Sequence, residues 1–423
     1  MVVKAGLLID GNGDSFRDAV VLINGRSIVG TQPAAAYQPL PEDTVIDASA
    51  HTVMPGLVDC HVHTRSSGEP SERGGDSTQT TVPQFTLRAL RNAQKDLEAG
   101  FTTIRDLGSM GYIDIALRDA FEKGEYAGPR MRVAGYGLTM WGGHMHRFMR
   151  PGLDMTESTG IVNTADQAKS AARYQIGRGV DFVKFNSAVS SLRYDEKRID
   201  QEMDYEMLAA AVKECRKVGI GSATHCHGGQ GATDAILAGV YTIEHGHWLT
   251  DEQFEMMLKH GTIFVPTLCP NEKLYERGKD GLKGVFDRWN WLETVMDDKT
   301  DTLQRAMKAG VPIAAGSDAG TNFNRHGENA RELEFLVKRC MTPMQAIVAG
   351  TKTAAKATML DHVTGTLDAG KWADLIVVKG NPLDEITVLN DKQNILLVMK
   401  EGKVMVERGC TPSSCRPCAG GKS

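Results

Sequence analysis

Between about Pro55 and Leu360 the chain alternates short apolar runs with amphipathic stretches, and this alternation leaves few folds open. The strand-like runs are GLVDCHVH, FTTIRDLG, RMRVAGYGL, DFVKFNSA, IGSATHCH, YTIEHG, TIFVPTL and PIAAGSDAG. Stretches with helical periodicity separate them, among them LRALRNAQKDLEAG, DIALRDAFEKG, AKSAARYQIGRG and YEMLAAAVKECRKVG, each ending in a glycine suited to a left-handed helix terminus. A helix between two strands carries the chain back to its starting edge, so successive strands lie parallel. Eight such units predict an α/β protein built on a closed (β/α)8 TIM-like barrel. An open doubly wound sheet is the alternative, but no GxGxxG follows the first strand.

Both ends of the chain read differently. Short β-rich runs separated by turns occupy residues 1–55 and return over 361–410, with hairpin signals at Asn24-Gly25 and Glu401-Gly402. A small β-sandwich domain built from both termini, interrupted by a catalytic barrel over 56–360 and followed by a flexible tail over 411–423, is the economical division.

With 423 residues, 41% hydrophobic and 24% charged, a large core is available, and the net charge of −5 without a basic run predicts no nucleic acid and no membrane partner. No apolar run reaches the length of a spanning helix, and the start lacks the marks of a secretory leader. A cytoplasmic enzyme is the default expectation, with a removed signal peptide left open. A homo-oligomer is compatible with the sequence without being specified by it. Cys60, Cys215, Cys226, Cys269 and Cys340 sit in or beside apolar runs and read as reduced core residues. Cys410, Cys415 and Cys418 crowd the tail but lack the fourth ligand of a zinc site.

The 12 histidines are distributed unevenly. Chance would give about 0.3 His-x-His pairs in such a chain. Four occur: His61/His63, His144/His146, His225/His227 and His245/His247. Residues i and i+2 of a strand share a face, so each strand-borne pair presents two imidazoles in one direction, as a divalent ion requires. His61, His63, Lys184, His225, His245 and Asp318 all fall near the C-terminal ends of predicted strands, where barrel enzymes carry their chemistry. Lys184, between Val183 and Phe185, is predicted to be buried. Burial favours its neutral amine, which could add carbon dioxide to form a carbamate; pairing with a carboxylate is the other reading.

GLVDCHVH, the VKF lysine, THCHG, YTIEHG and GSDAG resemble the motif series of the amidohydrolase superfamily, and the likeness extends through GTLDAGKWADLIVVKGNPL. It is most similar to the imidazolonepropionase-related branch that includes Xaa-Pro and Xaa-Arg/Lys dipeptidases and ochratoxin-hydrolysing amidases. The resemblance implies two divalent metal ions, zinc foremost: His61 and His63 on one, His225 and His245 on the other, with an N6-carboxylysine at Lys184 bridging them. Asp318 would be both a ligand and the proton-handling group. Spacing alone leaves His225 and His227 as alternatives; His227 and His247 are assigned to the surroundings of the ligands or to the surface.

The implied reaction is hydrolysis of an amide bond in a small-molecule substrate, a dipeptide or an N-acyl amino acid with a free carboxylate. A broader amidase or esterase, a cyclic-amide hydrolase or deaminase, and a non-catalytic scaffold are the alternatives. By the same resemblance His144 and Tyr241 would contact the tetrahedral oxygen; otherwise they read as a loop histidine and a core aromatic. Arg325 could bind a substrate carboxylate or pair with Glu328 or Glu332 on the surface.

Overall fold

The computed structural model describes residues 1–69, 80–146, 159–190, 199–279, 289–410 and 413–414. The N-terminal part folds into β1 (Val2–Ile9), β2 (Ser15–Asn24), β3 (Ser27–Pro33) and β4 (Thr44–Pro55), and the C-terminal part into β13 (Leu375–Val378), β14 (Ile395–Lys400), β15 (Lys403–Glu407) and β16 (Ser413–Ser414). These strands form one mixed sheet in the order β15-β14-β13-β4-β1-β2-β3, with β16 on β4. Strands from both ends of the chain thus share one hydrogen-bonded sheet. A bridge between Ser27 and Trp372 ties its outer hairpin back toward the C-terminal half, around a core that includes Val3, Leu8, Val21, Ile46, Leu375 and Leu397. At the first hairpin β2 and β3 pair Asn24 with Ser27, so the central residues are Gly25 and Arg26, one place later than predicted. Glu401 and Gly402 both take positive φ, 51° and 73°, as their turn requires. Ser413 pairs with Val45, which puts part of the expected flexible tail on the sheet; Cys415 and Cys418 lie outside the described residues.

The first seven predicted runs of the middle region form β5 (Leu57–Val62), β6 (Phe101–Asp106), β7 (Arg130–Val133), β8 (Phe182–Ser190), β10 (Gly221–Gly228), β11 (Thr242–Trp248) and β12 (Ile263–Val265). A short β9 (Ile199–Gln201), not predicted, lies antiparallel to β8. The parallel strands make two sheets, β5-β6-β7 and β12-β11-β10-β8. Backbone bonds join them at both seams. On one side the Leu138 amide donates to the Lys184 carbonyl at 2.7 Å. On the other, the eighth run threads between β12 and β5: Ala314 donates to Phe264 (2.9 Å), Cys60 to Ala315 (3.0 Å) and Asp318 to His61 (2.7 Å).

That eighth run forms bridges but no regular strand among the described residues, because the Ala315 amide is drawn out of the ladder to the Ala349 carbonyl at 2.9 Å. Gly316 and Gly320 permit its close approach to β5. A Cβ on Gly316 would stand 3.0 Å from the His61 Cβ, and one on Gly320 2.4 Å from the His63 carbonyl oxygen.

The helices are built as the sequence implied. Tyr205–Val218 starts at Asp204, whose carboxylate accepts from the Met207 amide (2.9 Å), and ends at Gly219 in the left-handed region. It buries Met207, Leu208, Ala211, Val212 and Cys215 in one stripe, against a cluster that contains Val183 and Phe185 of β8. Since neighbouring side chains on a strand point to opposite faces, that packing turns Lys184 toward the interior of the ring. The described cysteines are all free, and none of the described helices is long and apolar enough to cross a membrane.

Candidate metal centre

At the C-terminal ends of the strands a cavity of about 340 Å3 is lined by His61, His63, Lys184, His225, His245 and Asp318. The six side chains that the sequence singled out as ligands therefore meet in one place, drawn from β5, β8, β10, β11 and the eighth run. His61, His63 and Asp318 form the tightest group, with one donor atom from each lying within 4.8 Å of the others. The Nε2 atoms of His61 and His63 stand 3.7 and 3.4 Å from Asp318 Oδ1. The His225 and His245 rings are 4.3 Å apart, and His245 lies 5.1 Å from His61.

Two features fit a cation. Asp318 Oδ1 and His225 Nε2 are buried polar atoms with no hydrogen-bond partner, an arrangement that is costly unless something else satisfies them. Imidazole and carboxylate together are the donor set of zinc and neighbouring divalent ions. His245 and Asp318 also hold positive φ, 74° and 55°, and such backbone costs about 1–3 kcal/mol per residue, a strain that clusters at functional sites.

The electrostatics favour a ligand set over a set of free charges. Burial pushes the Lys184 amine down toward neutrality, against the pull of Glu244 and Asp318. Burial likewise raises the Asp318 carboxyl, against Lys184 and Lys299. Burial holds His61 at about 4, so its imidazole is neutral at ordinary pH.

Behind the ligands lies a layer of groups that the sequence reading quoted in its motifs but did not assign. His61 Nδ1 is 2.9 Å from Glu244 Oε2; a carboxylate can only accept there, so Nδ1 carries the proton and Nε2 presents its lone pair to the cavity. Glu244 also accepts from Thr242 and, at 2.9 Å, from Arg105, whose fully buried guanidinium reaches the Cys60 and Ala357 carbonyls as well. Burial tends to raise Glu244, but the Arg105 charge and the His61 hydrogen bond bring it down to about 2. Asp59 accepts from the His61 amide, the Ser317 amide and hydroxyl, and Asn329, tying the first strand of the ring to the last. The missed signal was a charge inside an otherwise apolar strand, in FTTIRDLG and in YTIEHG.

The substrate residues fare unequally. His144 lines the cavity and stacks on His225 at 4.0 Å, and its amide donates to Glu202 at 2.6 Å. Tyr241 does not reach the site. It precedes β11, four residues before His245, and its hydroxyl donates to the Lys356 carbonyl at 2.9 Å. Arg325 is also elsewhere: it is 44% exposed and pairs with Glu69 at 2.8 Å, a partner other than Glu328 or Glu332. Glu328 instead holds Lys273, and Glu332 accepts from the Leu268 and Cys269 amides. His227 and His247 are buried, stacked on one another at 4.0 Å beside His225, and not on the surface.

Known proteins resemble this chain in sequence and fold. The model of the amidohydrolase family matches residues 52–405. Ochratoxinase from Aspergillus niger is 29% identical over 97% of this chain and 88% of its own length. Its crystal structure superposes with a TM-score of 0.84 at 28% identity, covering 96% of both chains. A crystal structure of an Xaa-Pro dipeptidase with methionine bound in the active site gives a TM-score of 0.85 at 31% identity, covering 95% of this chain and 98% of that one. With the family model spanning residues 52–405, this chain belongs to the amidohydrolase family and is one of its hydrolases.

Proposed function

We propose that this chain is a metal-dependent hydrolase of a dipeptide or N-acyl amino acid, working at the mouth of a (β/α)8 barrel closed by its two seams. The observation that carries the reading is the convergence of His61, His63 and Asp318 in the cavity that also holds Lys184, His225 and His245. In this reading His61, His63 and Asp318 would hold one divalent ion, zinc in the first instance, and His225 and His245 a second, with Lys184, carboxylated on its neutral amine, supplying a further anionic ligand. The likeness to a dipeptidase and to ochratoxinase supports an amide as the bond cleaved.

When bound, the metal supplies Lewis acidity and lowers the pKa of water toward neutrality. The chain's own groups do the rest. Water adds to the scissile carbonyl carbon, Asp318 accepts the proton it releases, and the same carboxyl delivers a proton to the nitrogen as the C–N bond breaks. His144, on the cavity wall against His225, is placed to donate to the carbonyl oxygen as charge builds on it. Glu244 and Arg105 keep His61 in the one tautomer that leaves Nε2 open.

The test is elemental analysis of protein never exposed to chelator, coupled to a screen of dipeptides, N-acyl amino acids and cyclic amides. Up to two divalent ions per chain and linear-amide turnover that chelator abolishes are the expected results. A metal-free protein of full activity overturns the metal reading, and turnover confined to cyclic amides overturns the substrate class.

A further inference from the structure

We propose that Arg65 is the residue that recognises the substrate's free carboxylate, an inference that rests on the amide-hydrolase reading above. In an N-acyl amino acid the carboxylate carbon lies only about 3–4 Å from the scissile carbonyl carbon, because one nitrogen and one Cα separate them. The group that binds it must therefore border the metal ligands and not the rim of the cavity. Arg325 is not among the residues that line this cavity. Among the described residues, Arg65 and Lys184 are the lysines and arginines that line the cavity, and Lys184 belongs to the ligand set.

Arg65 follows His63 by two residues, in a turn closed by the Ser66 amide on the His63 carbonyl at 3.0 Å. Its guanidinium carbon stands 4.9 Å from the centroid of the Phe85 ring, which is itself buried in the helix Val82–Glu98. An aromatic face favours a guanidinium beside it, and the planar fork of guanidinium N–H donors matches the geometry of a carboxylate. A cavity of about 340 Å3 lies at the small end of the range for small-molecule sites, which suits a substrate of one acyl group and one amino acid. Cleavage is thereby confined to the bond before a C-terminal residue, since an internal peptide bond offers no carboxylate at this distance.

The experiment compares kcat/KM on an N-acyl amino acid and on its carboxamide, for the wild type, Arg65→Met and Arg65→Lys, with metal content measured for each. The wild type should favour the acid. Arg65→Met should lower kcat/KM on the acid about 10- to 100-fold, mainly through KM, the effect of losing hydrogen bonds to a charged group, and bring the acid-to-amide ratio toward one. Arg65→Lys, which keeps charge but not the fork, should fall between them at unchanged metal content. A wild type with no preference, an Arg65→Met enzyme that keeps the preference, or equal losses on both substrates would overturn the assignment while leaving amide hydrolysis standing. A wild type that loads metal but cleaves neither compound would instead overturn the amide-hydrolase reading.

Discussion

Replacing Glu244 by Gln tests the buried relay behind His61. The carboxylate is fully buried and holds His61 Nδ1 and Arg105 at 2.9 Å each, with Thr242 as a third donor. Glutamine keeps the shape but offers one oxygen and an NH2 that meets a donor head-on, either His61 or Arg105. The Arg105 guanidinium, with no exposure, then lacks a counterion, and breaking a buried pair in this way costs about 3–5 kcal/mol. Against a total stability of about 5–15 kcal/mol that is a large fraction, readable as a lower urea midpoint of the metal-free protein. Metal affinity should fall about 10–100-fold, since the tautomer of His61 is no longer fixed. Acidity supplies a second readout. A carboxyl held near 2 adds stability that is fully present above the ordinary glutamate range near 4.5 and is lost as pH falls toward 2. The wild type should therefore lose more stability than Glu244→Gln across that window. Adding Arg105→Met to Glu244→Gln should restore part of the loss, because it removes the stranded charge. A single variant destabilised by less than about 1 kcal/mol, with wild-type metal affinity, would refute the relay.

Three further outcomes follow from the site. Lys184→Arg should lose the second metal and activity by several orders of magnitude; in the wild type, bicarbonate-dependent metal loading should rise as pH passes about 8, where the buried amine becomes neutral, as followed by elemental analysis. Asp318→Asn should lower kcat by about 100-fold or more while metal content falls less, separating proton handling from ligation in a paired rate and metal assay. Tyr241→Phe should leave kcat and KM near wild type and lower the thermal midpoint slightly, since it removes a hydrogen bond worth about 1 kcal/mol to the Lys356 carbonyl at the far end of the strand.

The convergence of these side chains in one cavity was legible because strand periodicity and motif position act together: once a run is read as a parallel strand, its C-terminal half is fixed, and His61, His225 and His245 fall there without further information. Tyr241 shows the limit of that reasoning. It shares a motif with His245, but it lies just before β11 begins, while His245 is four residues further along, midway through the strand. Arg325 failed for a different reason. Nothing local to TNFNRHGEN indicates that Glu69, distant in sequence, supplies its counterion. Arg105 and Glu244 were hidden because each looks anomalous alone and makes sense only when β6 and β11 face one another across the interior. The interrupted ladder at Ala315 depends on a carbonyl at Ala349 and has no signature in PIAAGSDAG.

The bonds from Asp59 to Ser317 span 258 residues, and nearly as long a stretch of chain separates His61 and His63 from Asp318. During synthesis at about 5–20 residues per second, the first two histidines leave the ribosome roughly ten seconds to a minute before the aspartate does. Once β6 has emerged, β5 has one edge neighbour for the rest of that interval, and His61 and His63 lack their carboxylate partner. The partner that β4 needs, β13, emerges later still. The N-terminal segment of this protein is thus committed to waiting for nearly the whole chain, and truncation before residue 318 should leave a nascent product in which β5 lacks its second neighbour.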